Sequence, residues 1–172
     1  MPIILDIEKN ALDAYHSCFL FNNQMELLVH AMKYECVVAI AKLLGDCMYD
    51  ALPDWKFDVC TYVPLTQSKL RQRGFNQAEL IAKQCCGHDK TTVKNLLSRQ
   101  YDSTSAQAEL NRNDRLQHYQ QDTFTVTTNI QELSILLVDD VLTTGATLNS
   151  CAMALKTAGA AKVFGLTIAH GS

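Results

Sequence analysis

The run ILLVDDVLTTGATL, residues 135–148, constrains the fold more than any other stretch of this chain. Ile135 to Val138 are four aliphatic residues in a row, which is typical of a strand buried on both faces of a parallel sheet. Such a strand has no room for two unpaired carboxylates. We therefore expect Asp139 and Asp140 at its C-terminal end, where it opens to solvent and where ligands of open α/β sheets bind.

The loop that follows the aspartates consists of small and hydroxyl-bearing residues. Between a strand and a helix, such a loop gathers backbone N–H groups and hydroxyls around one point, and the helix dipole adds positive potential there. The loop therefore predicts a phosphate site. The two carboxylates can accept hydrogen bonds from vicinal hydroxyls or approach a divalent cation. A ligand that carries both a diol and a nearby phosphate is a ribose 5-phosphate.

Other interpretations of this run are weaker. Gly145 is its only glycine and no lysine follows it, which excludes a Walker A loop and a three-glycine dinucleotide turn. A plainer interpretation treats Asp139 and Asp140 as solvated turn residues or a helix cap, and the loop as an ordinary helix start. That interpretation explains each feature singly but not their coincidence.

Composition predicts a single globular domain. Of the 172 residues, 48% are hydrophobic and 19% are charged, which suffices for one substantial core. No apolar run approaches the roughly 18 residues that span a bilayer, and the N-terminus lacks signal-peptide features, so we expect a cytoplasmic protein without membrane insertion. The seven cysteines are scattered and nowhere spaced C-x-x-C, which favours reduced core residues over disulfides or a metal site.

The order of periodic segments predicts an α/β fold with a mostly parallel sheet. Apolar residues recur at helical spacing in two N-terminal segments, 11–20 and 25–51. Strands are predicted at 57–65, 91–99, 122–126, 135–140 and 161–170, and further helices at 75–85 and 147–159. The close succession of strand, helix and strand near the C-terminus implies a parallel pair with a right-handed crossover.

Two segments are unusually polar or basic. Residues 100–122 have little to bury and predict a mobile loop. Residues 69–115 hold nine Lys or Arg against five Asp or Glu, although the whole chain has a net charge of −3. A local basic surface is therefore expected in an otherwise acidic protein.

The run VDDVLTTGAT resembles the 5-phosphoribosyl 1-diphosphate motif of type I phosphoribosyltransferases, and three further stretches narrow the likeness. They are MKY at 32–34, VPLTQSKLRQRGFNQAELIA at 63–82, and a spaced pattern running from Arg99 through Thr104, Gln107, Leu110 and Arg112 to Arg115. Together these stretches resemble the ComF family, also called ComFC or GntX-like proteins, over roughly residues 18–172. That family commonly begins with a four-cysteine zinc ribbon, which does not precede the first helix here. Either the chain is a short form or it lacks an N-terminal segment, and in both cases zinc-dependent functions are not carried over.

The resemblance implies a type I phosphoribosyltransferase fold with N-terminal helices at 1–52, a core at 53–172, and a flexible loop. It implies that Asp139 and Asp140 face the ribose 2- and 3-hydroxyls and contact a metal only indirectly, through those hydroxyls or water. The phosphoribosyl group would be held by Val141, Leu142, Thr143, Thr144, Gly145, Ala146 and Thr147. The pyrophosphate loop would lie at Pro64 to Ser68, and the diphosphate would contact Pro64, Leu65, Thr66, Lys69, Arg71 and Arg73. The loop that closes over substrate would carry Arg99, Gln107, Arg112 and Arg115.

The implied reaction is displacement of pyrophosphate at ribose C1 of 5-phosphoribosyl 1-diphosphate, with Mg²⁺ as cofactor. No acceptor and no general base are indicated, and His170 is the one histidine expected near the site. Lys69, Arg71 and Arg73 have an alternative as solvated cations at a helix start. The family's association with natural transformation implies single-stranded DNA and competence proteins as partners, and leaves a homo-oligomer open. Three classes remain: a transferase, a phosphoribosyl diphosphate-sensing regulator without turnover, and a DNA-handling module that uses the fold as a scaffold.

Overall fold

A computed structural model describes residues 11–34, 38–99 and 124–171, and the structural statements below concern those residues. The strands, in chain order, are β1 (Ala14–Leu20), β2 (Val59–Tyr62), β3 (Leu97–Arg99), β4 (Phe124–Val126), β5 (Ser134–Leu142) and β6 (Lys162–His170). The helices are α1 (Asn23–Tyr34), α2 (Val38–Asp50), α3 (Gln67–Arg73), α4 (Gln77–Gly87) and α5 (Ala146–Thr157).

The central sheet has four parallel strands in the order β1-β6-β5-β2. The aliphatic run of β5 lies in the middle of this sheet, and Ile135 to Val138 are 0% exposed. β5 and β6 are parallel neighbours joined through α5, which confirms the parallel pair expected near the C-terminus. β3 and β4 form a separate antiparallel pair.

Helices cover both faces of the sheet. On one face α1, α2 and α4 contribute buried residues such as Met32, Met48 and Ile81 to a core that includes Leu136 of β5. On the other face α5 packs against the β3–β4 pair and the opposite side of the sheet. The fold class is therefore the expected one, an α/β fold with a mostly parallel central sheet flanked by helices. Four of the six described cysteines are buried, as expected for core residues.

The helical expectation for residues 11–20 is wrong, because residues 14–20 form the edge strand β1. A ten-residue apolar segment fits either period, and here the available partner decides the outcome. Tyr15 lies opposite Gly165 on β6, and its hydroxyl hydrogen-bonds the Thr167 hydroxyl at 2.8 Å. The N-terminal region is thus not purely helical. The second predicted helix, 25–51, corresponds to α1 and α2, and residues 35–37 between them lie outside the described part of the chain.

The two aspartates lie near the C-terminal end of β5, as expected. The strand ends at Leu142, two residues beyond the predicted end at Asp140. The reason is the length of β6, which still pairs Thr167 with Asp139 and His170 with Leu142. On the other side, β2 ends at Tyr62 opposite Val138, so the aspartates lack a strand partner only on that side.

Candidate functional site

A cleft of about 190 Å³ opens where β2 ends and β5 continues. The last contact between the two strands is the hydrogen bond from Val63 N to Val138 O, at 2.9 Å. Beyond it the chain after β2 turns away and exposes one side of β5. The cleft is lined by Lys33, Val63, Pro64, Leu65, Lys69, Arg73, Asn76, Gln77, Ala78, Arg99, Asp139, Asp140 and Thr147.

A larger hollow of about 600 Å³ lies beside the N-terminal end of β2. Its polar lining includes Asp50, Asp54 and Asp89, and the one cation in that lining, Lys56, is ion-paired with Asp54. A hollow with that charge does not suit a phosphate ligand. The smaller cleft at β5 is therefore the better candidate for the predicted chemistry.

Asp139 and Asp140 differ in their surroundings although they are adjacent. Asp139 Oδ1 accepts a hydrogen bond from Asp140 N at 2.8 Å, and Asp140 Oδ1 accepts one from Val141 N at 2.7 Å. Burial raises the pKa of the Asp139 carboxyl above its ordinary value, and the neighbouring charge of Asp140 adds to this effect.

Lys33, at the end of α1, supplies the counter-charge. Its Nζ lies 2.5 Å from Asp140 Oδ2, and the two side chains are only 22% and 15% exposed. Because solvent reaches this ion pair so little, its electrostatic attraction is screened less than that of a surface pair. Lys33 belongs to the MKY stretch of the resemblance, but no role in the site was predicted for it.

The phosphate loop, residues 143–147, follows β5 directly and leads into α5. Gly145 has φ 77°, the left-handed region that glycine occupies without strain, and it occupies the N-cap position of α5. Gly145 has no side chain to cap the helix, and of the first-turn N–H groups Ala146 N donates to Thr144 Oγ1 at 3.4 Å within the loop. Thr143, Thr144 and Ala146 are exposed, and a small hollow of about 40 Å³ is lined by Asp139 and by residues 141–148.

The basic wall, formed by Pro64, Leu65, Lys69, Arg73 and Gln77, also lines the cleft. The predicted basic segment folds as the short helix α3, whose N-cap Thr66 accepts a hydrogen bond from Lys69 N at 3.4 Å. Lys69 and Arg73 line the cleft. Arg71 is exposed and is not among the lining residues. Thr66 is buried, so its visible role is to start the helix.

The start of α4 completes this wall. Asn76 caps the helix by accepting from Ala78 N at 3.0 Å, and its Nδ2 donates to Val63 O at 2.9 Å. These bonds tie the beginning of α4 to the end of β2. Gln77 follows, only 2% exposed, and its Oε1 accepts from Arg73 Nη1 at 3.2 Å. The polar Asn-Gln pair marks a helix start in the sequence, but nothing in it indicates a cleft.

Arg99, at the end of β3, is the one predicted flexible-loop residue that the structure describes. It pairs with Phe124 across the β3–β4 ladder, and its guanidinium carbon lies 5.4 Å from the Phe124 ring centroid. Arg99 also lines the cleft. Gln107, Arg112 and Arg115 lie outside the described residues, so the loop prediction for 100–122 remains a prediction.

The histidine that was expected near the site lies outside the cleft. His170 is 9% exposed and pairs with Leu142, yet it is not among the residues that line the cleft. In the described ranges no group of three or more His, Cys, Asp or Glu side chains is arranged to hold a metal ion. None of the helices within those ranges is long and apolar enough to cross a membrane.

The chain matches one family model and is similar in sequence to several known proteins. Residues 74–170 match the family described as "Phosphoribosyl transferase domain". The chain is 28% identical over 150 residues to competence protein F of Haemophilus influenzae, covering 81% of this chain and 65% of that protein. It is 30% identical over 155 residues to DNA utilization protein YhgH of Salmonella typhi, covering 81% and 64%. It is 26% identical over 151 residues to competence protein ComFC of Streptococcus pneumoniae, covering 87% and 65%.

A solved structure has a similar backbone. The protein titled "Structure of the allosteric regulatory enzyme of purine biosynthesis" superposes with a TM-score of 0.50 and 19% identity, covering 74% of this chain and 25% of that one. At that identity the likeness concerns the fold alone. The chain spans about two thirds of the length of the curated relatives it matches, or slightly less.

Proposed function

Since the chain belongs to the phosphoribosyl transferase domain family and its relatives are ComF-type proteins, we propose that the cleft binds 5-phosphoribosyl 1-diphosphate. The main support for this proposal is that three structural features lie next to one another. Two carboxylates, an uncapped helix start and a basic wall all border the C-terminal end of β5. A ligand with a diol, a monophosphate and a diphosphate matches these three parts.

Each part has its own chemistry in the proposal. Asp139 and Asp140 accept hydrogen bonds from the ribose hydroxyls, and the N–H groups of the phosphate loop donate to the 5-phosphate. Lys69 and Arg73 neutralise the diphosphate. In a transferase these cations also stabilise the charge that develops on pyrophosphate as its bond to ribose C1 breaks.

Mg²⁺ fits this cleft as a partner of the substrate rather than as a metal bound by protein alone. Mg²⁺ commonly uses one or two carboxylates together with water and substrate phosphates, and two carboxylates are present here. Asp140 is already ion-paired with Lys33, so contact through the ribose hydroxyls or water suits the site better than direct ligation. When bound, Mg²⁺ would offset negative charge on the diphosphate.

The test is thermal stabilisation of the protein by ligands. We expect 5-phosphoribosyl 1-diphosphate with Mg²⁺ to raise the melting temperature more than ribose 5-phosphate, pyrophosphate or ATP. Asp139→Asn and Asp140→Asn keep the side-chain shape but remove a charged acceptor, which weakens binding roughly tenfold to a hundredfold each. Asp50→Asn, at an exposed position outside the cleft, is the matched control.

Two results would count against the proposal. One is a parent protein that no ribose phosphate stabilises, and the other is an Asp50→Asn variant that loses binding as the cleft variants do. Release of pyrophosphate upon incubation with candidate acceptors then distinguishes a transferase from a regulator that only binds.

A second candidate function, the handling of single-stranded DNA in competence, is favoured by one specific observation. Arg71 is exposed and lies outside the cleft, where it is free to contact a nucleic acid backbone while Lys69 and Arg73 line the cleft. The names of the relatives refer to competence and to DNA utilization. Phosphate contacts by arginine give binding that weakens with salt and tolerates any sequence.

Arg71→Ala tests this second function. We expect it to weaken binding of single-stranded DNA and to reduce the slope of affinity against salt by about one unit. Fluorescence anisotropy with a labelled oligonucleotide at several salt concentrations measures both quantities. An Arg71→Ala protein that binds the oligonucleotide with the affinity and slope of the parent would remove α3 as a DNA site.

A further inference from the structure

Gln77 is the most deeply buried polar side chain that lines the cleft. It is the first residue of α4 and is 2% exposed. Its backbone position is fixed from both sides, because Asn76 caps α4 and also donates to Val63 O at the end of β2. A polar side chain buried and anchored in this way has few rotamers available, so its hydrogen-bonding groups point in defined directions.

The carboxamide of Gln77 has a defined orientation. Arg73 Nη1 donates to Gln77 Oε1 at 3.2 Å. A guanidinium has no acceptor, so the oxygen of the carboxamide must face Arg73 and the NH₂ group must face away from it. Exchanging the two ends would set donor against donor. The orientation therefore follows from the chemistry of the pair.

The NH₂ group is left without a protein partner. Among the residues that the structure describes, none accepts a hydrogen bond from Gln77 Nε2, and the atom is buried. A buried donor without an acceptor costs about 1–3 kcal/mol, and such groups are rare in folded proteins. An acceptor on a ligand in the cleft would remove this cost.

The surroundings identify the kind of acceptor. Lys69 and Arg73 lie on the same wall, and the N-terminus of α4, an 11-residue helix, adds the positive end of its dipole. A positive potential around an unused N–H donor favours a negatively charged oxygen as the acceptor. The ribose hydroxyls are not the partner, because in the proposed function they donate to the carboxylates of Asp139 and Asp140. We propose that Gln77 Nε2 donates a hydrogen bond to a non-bridging oxygen of the diphosphate. The cleft thereby discriminates between ligands that carry a diphosphate at ribose C1 and ligands that lack it. This inference rests on the proposed function.

Two substitutions separate this role from a structural one. Gln77→Met keeps the size of the side chain but removes both the Nε2 donor and the Oε1 acceptor of Arg73. Gln77→Glu keeps an acceptor for Arg73 while replacing the donor with a negative oxygen. We expect affinity for 5-phosphoribosyl 1-diphosphate and for pyrophosphate, both with Mg²⁺, to fall roughly tenfold to a hundredfold in Gln77→Met and further in Gln77→Glu. Affinity for ribose 5-phosphate should stay at the parent value.

Gln72→Glu is the matched control, because Gln72 is exposed, adjoins Arg73 in the sequence and is not among the lining residues. It introduces the same charge as Gln77→Glu without changing the cleft. Dissociation constants from calorimetry, together with the melting temperature of each ligand-free variant, are the measurements. A diphosphate-binding role predicts that Gln77→Met melts near the parent temperature, because removal of a buried unpaired donor offsets the loss of the hydrogen bond from Arg73.

The outcomes are distinct. If the parent binds 5-phosphoribosyl 1-diphosphate and Gln77→Met binds it equally well, the inference is wrong and the proposed function stands. If Gln77→Met weakens ribose 5-phosphate as much as the diphosphate, Gln77 shapes the cleft and does not read the diphosphate. If the parent binds neither pyrophosphate nor 5-phosphoribosyl 1-diphosphate, the proposed function fails and this inference fails with it.

Discussion

The phosphate loop and the basic wall border the same cleft but are built from different groups. The loop presents backbone N–H groups and hydroxyls of consecutive residues, and its shape depends on one glycine at φ 77°. The basic wall presents side chains, with Lys69 and Arg73 on α3 and Gln77 on α4. Backbone donors lose little entropy when they bind a ligand, whereas long cationic side chains must be ordered first. The loop is therefore sensitive to backbone strain, and the wall is sensitive to the loss of single side chains.

The largest expected difference in ligand binding comes from a matched pair of glycine substitutions, one in the phosphate loop and one at the end of α3. Gly145→Ala and Gly74→Ala both place a Cβ at a left-handed residue, with φ 77° and 78°, and each costs roughly 1–2 kcal/mol of stability. Only Gly145→Ala should disturb the phosphate loop, so it alone should weaken ribose 5-phosphate binding by at least about tenfold. Calorimetric titration with ribose 5-phosphate measures this. Equal binding by the two variants would show that the glycine of the loop is not needed for the phosphate.

An intermediate effect is expected at the Lys33–Asp140 pair, which joins the two halves of the cleft. Lys33→Met leaves a largely buried carboxylate without its cation and should lower the free energy of unfolding. Asp140→Asn should relieve much of that loss, with an interaction free energy of about 0.5–3 kcal/mol in the double-mutant cycle. Urea denaturation of the four proteins gives this value. Additive losses would mean that the ion pair is incidental.

The smallest effect concerns the pH dependence of stability. Because burial raises the pKa of Asp139, the folded protein holds a proton that the unfolded chain has released at pH values above about 3.9. The free energy of unfolding should therefore fall as pH rises from that value to the raised pKa, by less than about 1.4 kcal/mol per pH unit for one proton. Asp139→Asn should flatten this part of the profile. Chemical denaturation between pH 4 and 8 tests it, and a parallel decline in both proteins would assign the dependence elsewhere.

The two sides of the cleft also differ in how far sequence alone predicts them. The phosphate loop and the two aspartates are consecutive residues, so their pattern is visible in the sequence, and the likeness to a known motif follows from it. The basic wall draws on α3 and α4, and Lys33 lies on α1. No local pattern shows that Lys33 reaches Asp140 or that Gln77 lines the same cleft as Lys69. Arg71 and Arg73 look equivalent in sequence, yet the turn of α3 directs only Arg73 into the cleft.

The errors have a common physical cause. Residues 14–20 were expected to be helical because their apolar spacing is ambiguous, and pairing with β6 makes them a strand. β5 runs two residues beyond its predicted end at Asp140, because β6 is long enough to pair with that extension. Each error lies where a distant strand overrides a local preference, whereas the strongly periodic helices α4 and α5 were predicted with nearly their observed bounds.

The order β1-β6-β5-β2 has a consequence for how the chain is made. Among the described strands, β1 comes first in the chain and pairs with β6, which comes last, so the contact between Tyr15 and Thr167 forms only after β6 has been synthesised. Pairing across such a separation is slow, because the entropy of closing a long loop must be lost before any contact is gained. During synthesis β1 is therefore an unpaired strand, open to wrong partners. A truncation before Lys162 would leave both β1 and one edge of β5 exposed, and we expect such fragments to aggregate rather than fold.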